Sequence, residues 1–372
     1  MLLAAIGMVA TIRAENLLGT TWGYGQRQVT WWLLSLVLLL LLAGINFRRL
    51  CEWSYPIYAM ALVLLVGVYF APAINGSHRW IRVGPVGVQP SEFAKIATLM
   101  ALARYLMYCD RQRHLRGLFV PFLLAVVPLL LVLREPDLGT ALVFLPVLFA
   151  MLVAAGARPR DLAVAALVGV FLLPLLWQQM SREQRSRITA LWEQTGPYEK
   201  PSADGYHLHQ AKQVSALGGT WGSIVTGDIT CEREVYHLPI AQSDFIFSVI
   251  GERCGLWGTG LTLFLFAVLI HQLLAIGRKT REPFGRLVCV GVAALFAVEV
   301  LVNTAMTVGL APVTGLSLPL VSYGGSGLIA HVCALGVVAS VARYPGYEVG
   351  PAPFRFSRDQ ASAHAFGRHR VA

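Results

Sequence analysis

The stretch Leu238-Pro-Ile-Ala-Gln-Ser-Asp-Phe-Ile-Phe-Ser-Val-Ile-Gly-Glu252 marks where the longest polar segment of the chain runs back into apolar sequence. Asp244 opens a run, Phe245 to Ile250, that carries no other charge. A carboxylate there lies at a membrane boundary among apolar side chains, where desolvation raises its pKa and suits it to proton transfer. The same residues also read as a helix start, with Ser243 or Asp244 closing the first turn. The sequence on either side weighs between the two readings.

Outward from this stretch the chain is apolar. Its 372 residues are 56% hydrophobic and only 13% charged, with a mean hydropathy of +0.61, whereas soluble domains are about a quarter charged. Apolar runs long enough for a bilayer fall at about 28–47, 53–74, 92–109, 117–134, 138–156, 162–180, 254–277, 285–304 and 320–342. Residues 1–12 form a further run that is too short. It lacks the basic start and cleavage site of a signal peptide, and reads as the truncated tail of a first span or as a thin one. The expected fold is an all-α polytopic integral membrane protein of about ten transmembrane helices. The first is truncated or short, and a large outer loop, about 178–243, joins helices 7 and 8. One transmembrane domain then covers 1–345, and 346–372 is a basic cytoplasmic tail.

The net charge of +10 leaves no soluble basic domain for nucleic acid. It is concentrated in short connections: Arg48 and Arg49; Arg111, Arg113 and Arg116; Arg158 and Arg160; Arg278, Lys279, Arg281 and Arg286. Short basic loops face the cytoplasm, so every second connection and both termini are expected inside. The six cysteines are scattered without metal-ligand spacing. All the stretches that look specified rather than merely basic fall in the outward connections.

Three such stretches accompany Asp244. In Asn75-Gly-Ser-His-Arg-Trp-Ile-Arg-Val-Gly-Pro-Val-Gly-Val-Gln-Pro-Ser-Glu-Phe-Ala-Lys95, glycines and Pro85 make turns and Pro90-Ser91-Glu92 reads as a helix start. Trp80 suits the membrane interface. Arg79, Arg82 and Lys95 either snorkel from an interfacial loop or bind an anion such as phosphate. Lys95 lies one turn from Glu92, inside a span, where ionisable residues are functional by default. In Arg134-Glu-Pro-Asp-Leu-Gly-Thr140, Asp137 caps the next helix, or Glu135 and Asp137 hold a divalent cation or a sugar hydroxyl. In Pro312-Val-Thr-Gly-Leu-Ser-Leu-Pro-Leu-Val-Ser-Tyr-Gly-Gly-Ser326, prolines, glycines and small hydroxyls predict non-helical backbone at membrane depth, tolerated as the wall of a cavity. Glu299, mid-span, is expected to be a separate buried carboxyl, protonated and hydrogen-bonded to a neighbouring helix.

Arg79-Trp80-Ile81 with Gln89-Pro-Ser-Glu-Phe-Ala-Lys95, Glu135-Pro-Asp-Leu-Gly-Thr-Ala141, Asp244-Phe-Ile-Phe with Ile250-Gly-Glu252, and Leu318-Pro-Leu-Val-Ser-Tyr-Gly-Gly-Ser326 together resemble the SEDS family, the RodA/FtsW polymerases of bacterial peptidoglycan. The resemblance covers nearly the whole chain in the family's order. Gly205-Tyr-His, Gln210 and Asn303-Thr-Ala-Met306 are closer to the RodA branch. Three places depart from the family's pattern. Ile240 and Gln242 stand where it has Glu and His, Arg253 replaces the second Glu of its Gly-Glu-Glu, and Thr226–Glu234 replaces a Gly/Gln-rich turn.

The resemblance implies a glycosyltransferase of the bacterial inner membrane that polymerises lipid II at the outer face. It implies inversion at the MurNAc anomeric carbon and release of undecaprenyl pyrophosphate, in the service of cell elongation and shape. Asp244 matches the family's essential aspartate and is the expected general base. Arg79, Trp80, Glu92, Lys95, Glu135, Asp137, Ser322 and Tyr323 are the expected substrate-binding residues, with Arg79 and Lys95 offsetting the pyrophosphate charge. A divalent cation, magnesium or manganese, is left open, with Glu135 and Asp137 as its candidate ligands. A class B penicillin-binding protein and other elongation-complex membrane proteins are the implied partners. Two other readings stand beside this one: a flippase for lipid II, and a non-catalytic scaffold of the cell-wall machinery.

Overall fold

A computed structural model describes residues 1–18, 23–72, 79–83, 86–108, 115–192, 203–227 and 241–344. Each of the ten apolar runs is a helix: α1 (Leu2–Leu18), α2 (Tyr24–Gly44), α3 (Phe47–Val68), α4 (Pro90–Tyr108), α5 (Phe119–Arg134), α6 (Leu138–Ala154), α7 (Pro159–Gln179), α11 (Ile246–Lys279), α12 (Pro283–Val308) and α13 (Gly325–Arg343). Helices α8 (Arg182–Trp192), α9 (Ala203–Leu217) and α10 (Ser223–Thr226) belong to the large loop. By length and composition α2, α3, α11, α12 and α13 can each cross a membrane, and α5 and α6 are shorter apolar helices. The tail 346–372, the basic connection at 109–114 and Ile240 lie outside the described residues.

Burial separates the helices into an inner and an outer set. Helices α4 and α12 carry the bundle interior, with Leu99, Leu102, Leu106, Leu287, Leu295 and Phe296 at 2% exposure or less. Helix α12 packs on α4, α6, α9, α11 and α13, while α2 runs along α13 and α3 along α4. Leucine and valine cover the outward faces of α2, α3 and α7, the side that hydrocarbon would solvate.

Three boundaries differ from the sequence expectation. Helix α1 does not stop with its apolar run at residue 12. Arg13 continues the helix because its guanidinium makes a two-pronged pair with the buried Glu252 of α11, Nη2 to Oε1 at 2.8 Å and Nε to Oε2 at 3.2 Å. Helix α11 starts at Ile246, well before the apolar run at 254, because Phe247, Val249 and Ile250 are buried where α9 and α12 pack on α11. Gly255 (φ 63°, ψ −160°) then breaks the helix. The chain 217–223 crosses at that break so closely that a Cβ on Gly255 would stand 2.6 Å from Thr220 O. Gly87, expected in a turn, lies in a strand: β1 (Ile81–Val83) pairs antiparallel with β2 (Val86–Val88), Arg82 opposite Gly87, while Gly84 and Pro85 lie outside the described residues.

Candidate active site

Helices α9 and α10 of the large loop pack against the bundle, and α8 packs on α9. A capping box begins α8: Ser181 Oγ accepts from Gln184 N at 3.2 Å, and Gln184 Oε1 accepts from Ser181 N at 2.9 Å. Gln184 is buried, and its amide also reaches the Leu133 carbonyl at 3.4 Å. This ties α8 to the end of α5. Helix α9 buries Leu208, Ala211 and Val214 and packs on α11 and α12.

Asp244 lies just before α11. It is not a helix cap: α11 has Phe245 in the N-cap place, with no side-chain capping bond. Its main chain is fixed by Asn303, whose Nδ2 donates to Asp244 O at 2.9 Å and to Leu316 O at 2.7 Å. The side chain is half-buried. Desolvation pushes its pKa up; the Ser243 hydrogen bond lowers it, the Asp137 charge raises it, and Arg187 and Arg79 lower it. Gly315 (φ 75°) forms the facing wall, where a Cβ would lie 3.6 Å from Asp244 Oδ2 and 4.0 Å from Arg187 Nη1. Arg187, on the loop helix α8, thus borders the site, although sequence reasoning gave it no role there.

The Arg134–Thr140 motif contributes from the opposite side. Arg79 grips its main chain, Nε donating to Glu135 O at 2.8 Å and Nη2 to Pro136 O at 2.5 Å. Asp137 caps α6: its Oδ1 accepts from Thr140 N at 3.2 Å, and its Oδ2 from Thr140 Oγ1 at 2.9 Å and Gln89 Nε2 at 3.1 Å. The capping reading thus describes its hydrogen bonds, while its charge still acts on Asp244. Glu135 is 1% exposed, and neither carboxyl oxygen has a hydrogen-bond partner. Burial first, and the Asp137 charge second, push it up to about 8 against the pull of Arg79. Trp80 packs over Gly87 of the hairpin.

The segment 312–326 is the non-helical wall that its prolines and glycines predict. Leu318 N donates to Ser322 Oγ at 2.8 Å, Ser322 Oγ donates to Ser243 O, and Tyr323 N donates to Gln242 O at 2.8 Å. The Tyr323 ring meets Tyr24 edge-on at 4.9 Å. The Ser322 hydroxyl therefore holds the turn carrying Asp244. Among the departures, Arg253 Nη1 donates to Ser223 Oγ at 3.3 Å and so braces α10.

Glu92 and Lys95 are placed elsewhere. Both are buried, and Lys95 Nζ bonds to Glu92 Oε1 at 3.0 Å and to Glu299 Oε1. The Lys95 charge is thus shared by two carboxylates, whereas Arg79 is on the Glu135 and Pro136 carbonyls, so the two expected phosphate-binding cations have different partners. Glu299 is likewise ion-paired, not the isolated protonated carboxyl expected, and His331 Nε2 lies 2.6 Å from its Oε2. Glu92, Glu299 and His331 offer ligand atoms within 4.8 Å of one another, but the ammonium that bridges both carboxylates makes this an ion-paired cluster, not a cation cage. Sequence reasoning missed His331; its signal was a lone imidazole in the apolar run 320–342.

Comparison with known proteins places this arrangement. The FtsW/RodA/SpoVE family model, described as a cell cycle protein, matches residues 1–346. The chain belongs to the FtsW/RodA/SpoVE family. It is 35% identical over 322 residues to the peptidoglycan glycosyltransferase MrdB of Escherichia coli K12, covering 86% of this chain and 85% of MrdB. A chain from a peptidoglycan synthase complex that coordinates polymerization and crosslinking superposes with a TM-score of 0.77 at 32% identity, over 92% of this chain and 96% of that one. The rod shape-determining protein RodA of Thermus thermophilus gives a TM-score of 0.69 at 30% identity, over 93% and 96%.

Proposed function

We propose that this member of the family polymerises lipid II at the outer face of the cytoplasmic membrane, with Asp244 as general base. The observation that carries the reading is the state of that carboxylate: half-buried, free of capping duty, raised in pKa and set near Arg79 and Arg187. The acceptor's GlcNAc 4-hydroxyl loses its proton to Asp244 as its oxygen attacks the MurNAc anomeric carbon of the growing strand. The bond from that carbon to undecaprenyl pyrophosphate breaks, and the configuration inverts. Arg187, and Arg79 where its guanidinium extends beyond the carbonyls it grips, offset the negative charge that develops on the leaving group. Lys95 has no part in this step, since its ammonium is already paired.

Glu135 is the side chain suited to a divalent cation, magnesium or manganese, since both of its buried oxygens lack partners; an ion there would supply further counter-charge to the pyrophosphate. The orientation follows from the basic short connections, with both termini cytoplasmic and the Asp244 end outward. A class B penicillin-binding protein fits as partner, by analogy with the synthase complex that the chain superposes on. The likeness to MrdB and to the Thermus RodA supports a role in elongation and cell shape.

Reconstitution in proteoliposomes with labelled lipid II tests the reading, with glycan polymer and translocated lipid measured separately. Polymer without translocation is expected. Translocation without polymer would make the protein a flippase, and neither, in the presence of the partner, would make it a scaffold.

A further inference from the structure

Four ionisable side chains meet inside the bundle. Glu92 and Lys95 stand one turn apart on α4, Glu299 comes from α12 and His331 from α13, and none is more than 6% exposed. Both oxygens of Glu299 are engaged, one by Lys95 and one by His331. Glu92 is engaged on one side only; its Oε2 is buried and has no partner. That oxygen lies beside Gly327, which also neighbours Ser317 of the site's wall. A Cβ on Gly327 would lie 3.6 Å from Glu92 Oε2 and 3.8 Å from Ser317 Oγ, and Gly315, two residues before Ser317, borders the Asp244 carboxylate.

Charge counting decides what His331 does there. Two carboxylates and one ammonium leave a net negative charge in an apolar interior, which is strongly unfavourable. A proton on His331 brings the sum to zero and gives Glu299 a cation of its own. Without it, one ammonium must serve two carboxylates, and Glu92 is the one bound through a single oxygen.

We propose that His331 is a positioning residue for the Asp244 site. Its imidazole, as a cation, answers Glu299, so that Lys95 stays paired with Glu92 and Glu92 keeps its place beside Gly327 and Ser317. It touches no substrate and acts through Glu299, Lys95 and Glu92. The inference rests on reading the Asp244 site as the polymerising site.

The test compares His331→Leu, Glu299→Gln and the double variant with the full-length protein, reading melting temperature in detergent and lipid II polymerisation with the partner present. Glu299→Gln leaves the Lys95–Glu92 pair balanced without any second cation, so kcat within about threefold of the parent is expected. His331→Leu strands the extra negative charge, with a lower melting temperature and a loss of kcat of about tenfold or more. In the double variant both quantities return to the Glu299→Gln level, because the charge that His331 balanced is gone. Should His331→Leu fail to fold, recovery of the fold in the double variant carries the same weight. A double variant as damaged as His331→Leu would assign His331 to packing and overturn the proposal, as would a His331→Leu protein indistinguishable from the parent. A parent that makes no polymer would instead count against the polymerase reading, and the melting temperatures of the four proteins would still decide the charge balance.

Discussion

Asp244 and Glu299 are carboxylates of opposite situation in one bundle. Asp244 is half-buried, sits before the first turn of α11 and has arginine charges near it. Glu299 is fully inside, with Lys95 on one oxygen and His331 on the other. A carboxylate whose two oxygens are each taken by a basic side chain from another helix holds helices together and is not placed to meet a substrate. One whose pKa is raised by desolvation, and which meets the groove, can take up a proton. Depth alone thus separates structure from chemistry less well than the identity of the partners does.

The largest expected effect breaks the chemical side of this comparison. Asp244→Asn removes the base while keeping shape and the main-chain bond from Asn303, and polymerisation should fall by about 10²–10⁴-fold with little change in melting temperature. In the parent, activity should rise with pH through a value above that of an ordinary aspartate, because the base must first lose its proton. Near-normal glycan yield from Asp244→Asn on purified lipid II would remove Asp244 from the mechanism.

Next comes the structural side. Lys95→Met leaves Glu92 and Glu299 buried with one cation fewer, and breaking such a pair costs about 3–5 kcal/mol. A marked drop in melting temperature is expected, partly recovered in the Lys95→Met/Glu299→Gln double variant. A Lys95→Met protein of unchanged melting temperature and lost activity would return Lys95 to the substrate, as the sequence alone suggested.

Glu135 stands between these extremes, buried like Glu299 but without partners. Its value of about 8, against an ordinary 4.5, means that the folded protein keeps a proton there which the unfolded chain releases. Stability is therefore highest below pH 4.5 on this account and declines as pH rises to 8, by about 1.4 kcal/mol per pH unit. Glu135→Gln abolishes that decline. The variant should melt above the parent at pH 8.5, with the gap reduced to about a third at pH 5.5 and nearly closed at pH 4. A gap that fails to change with pH would show that Glu135 is already ionised and paired.

How far this was legible in the sequence follows the range of the interactions involved. Hydropathy is local, so every apolar run was found as a helix. Asp244 stood out because the residues after it, Phe245 to Ile250, are uncharged. The start of α11 was missed because Gly251, Glu252, Arg253 and Gly255 interrupt the apolar pattern, and only Arg13, 239 residues away, shows that Glu252 is neutralised. Arg187 looked like any solvated arginine on a loop helix; the Ser181–Gln184 capping box and the reach of Gln184 to Leu133 bring it to the site. Lys95 was read through its neighbour Glu92, whereas its second partner, Glu299, is 204 residues distant. Sequence spacing reveals partners one turn apart and is silent on those that the fold supplies.

Asp137 sharpens the comparison most finely, because it combines both roles in one side chain. Its oxygens are engaged by Thr140 and Gln89 as a cap, while its charge raises the Asp244 pKa. Asparagine separates the two, since its carbonyl oxygen can still accept from Thr140 N but the charge is gone. Asp137→Asn should keep the parent's melting temperature and move the acid limb of the activity profile to lower pH, because removing a neighbouring negative charge makes Asp244 easier to ionise. Asp137→Ala should give the same pH shift and also lose about 0.5–2 kcal/mol of stability with the cap. If neither variant moves the acid limb, Asp137 is a cap alone. The Arg134–Thr140 motif would then serve the site only by placing Glu135 and the carbonyls that Arg79 holds.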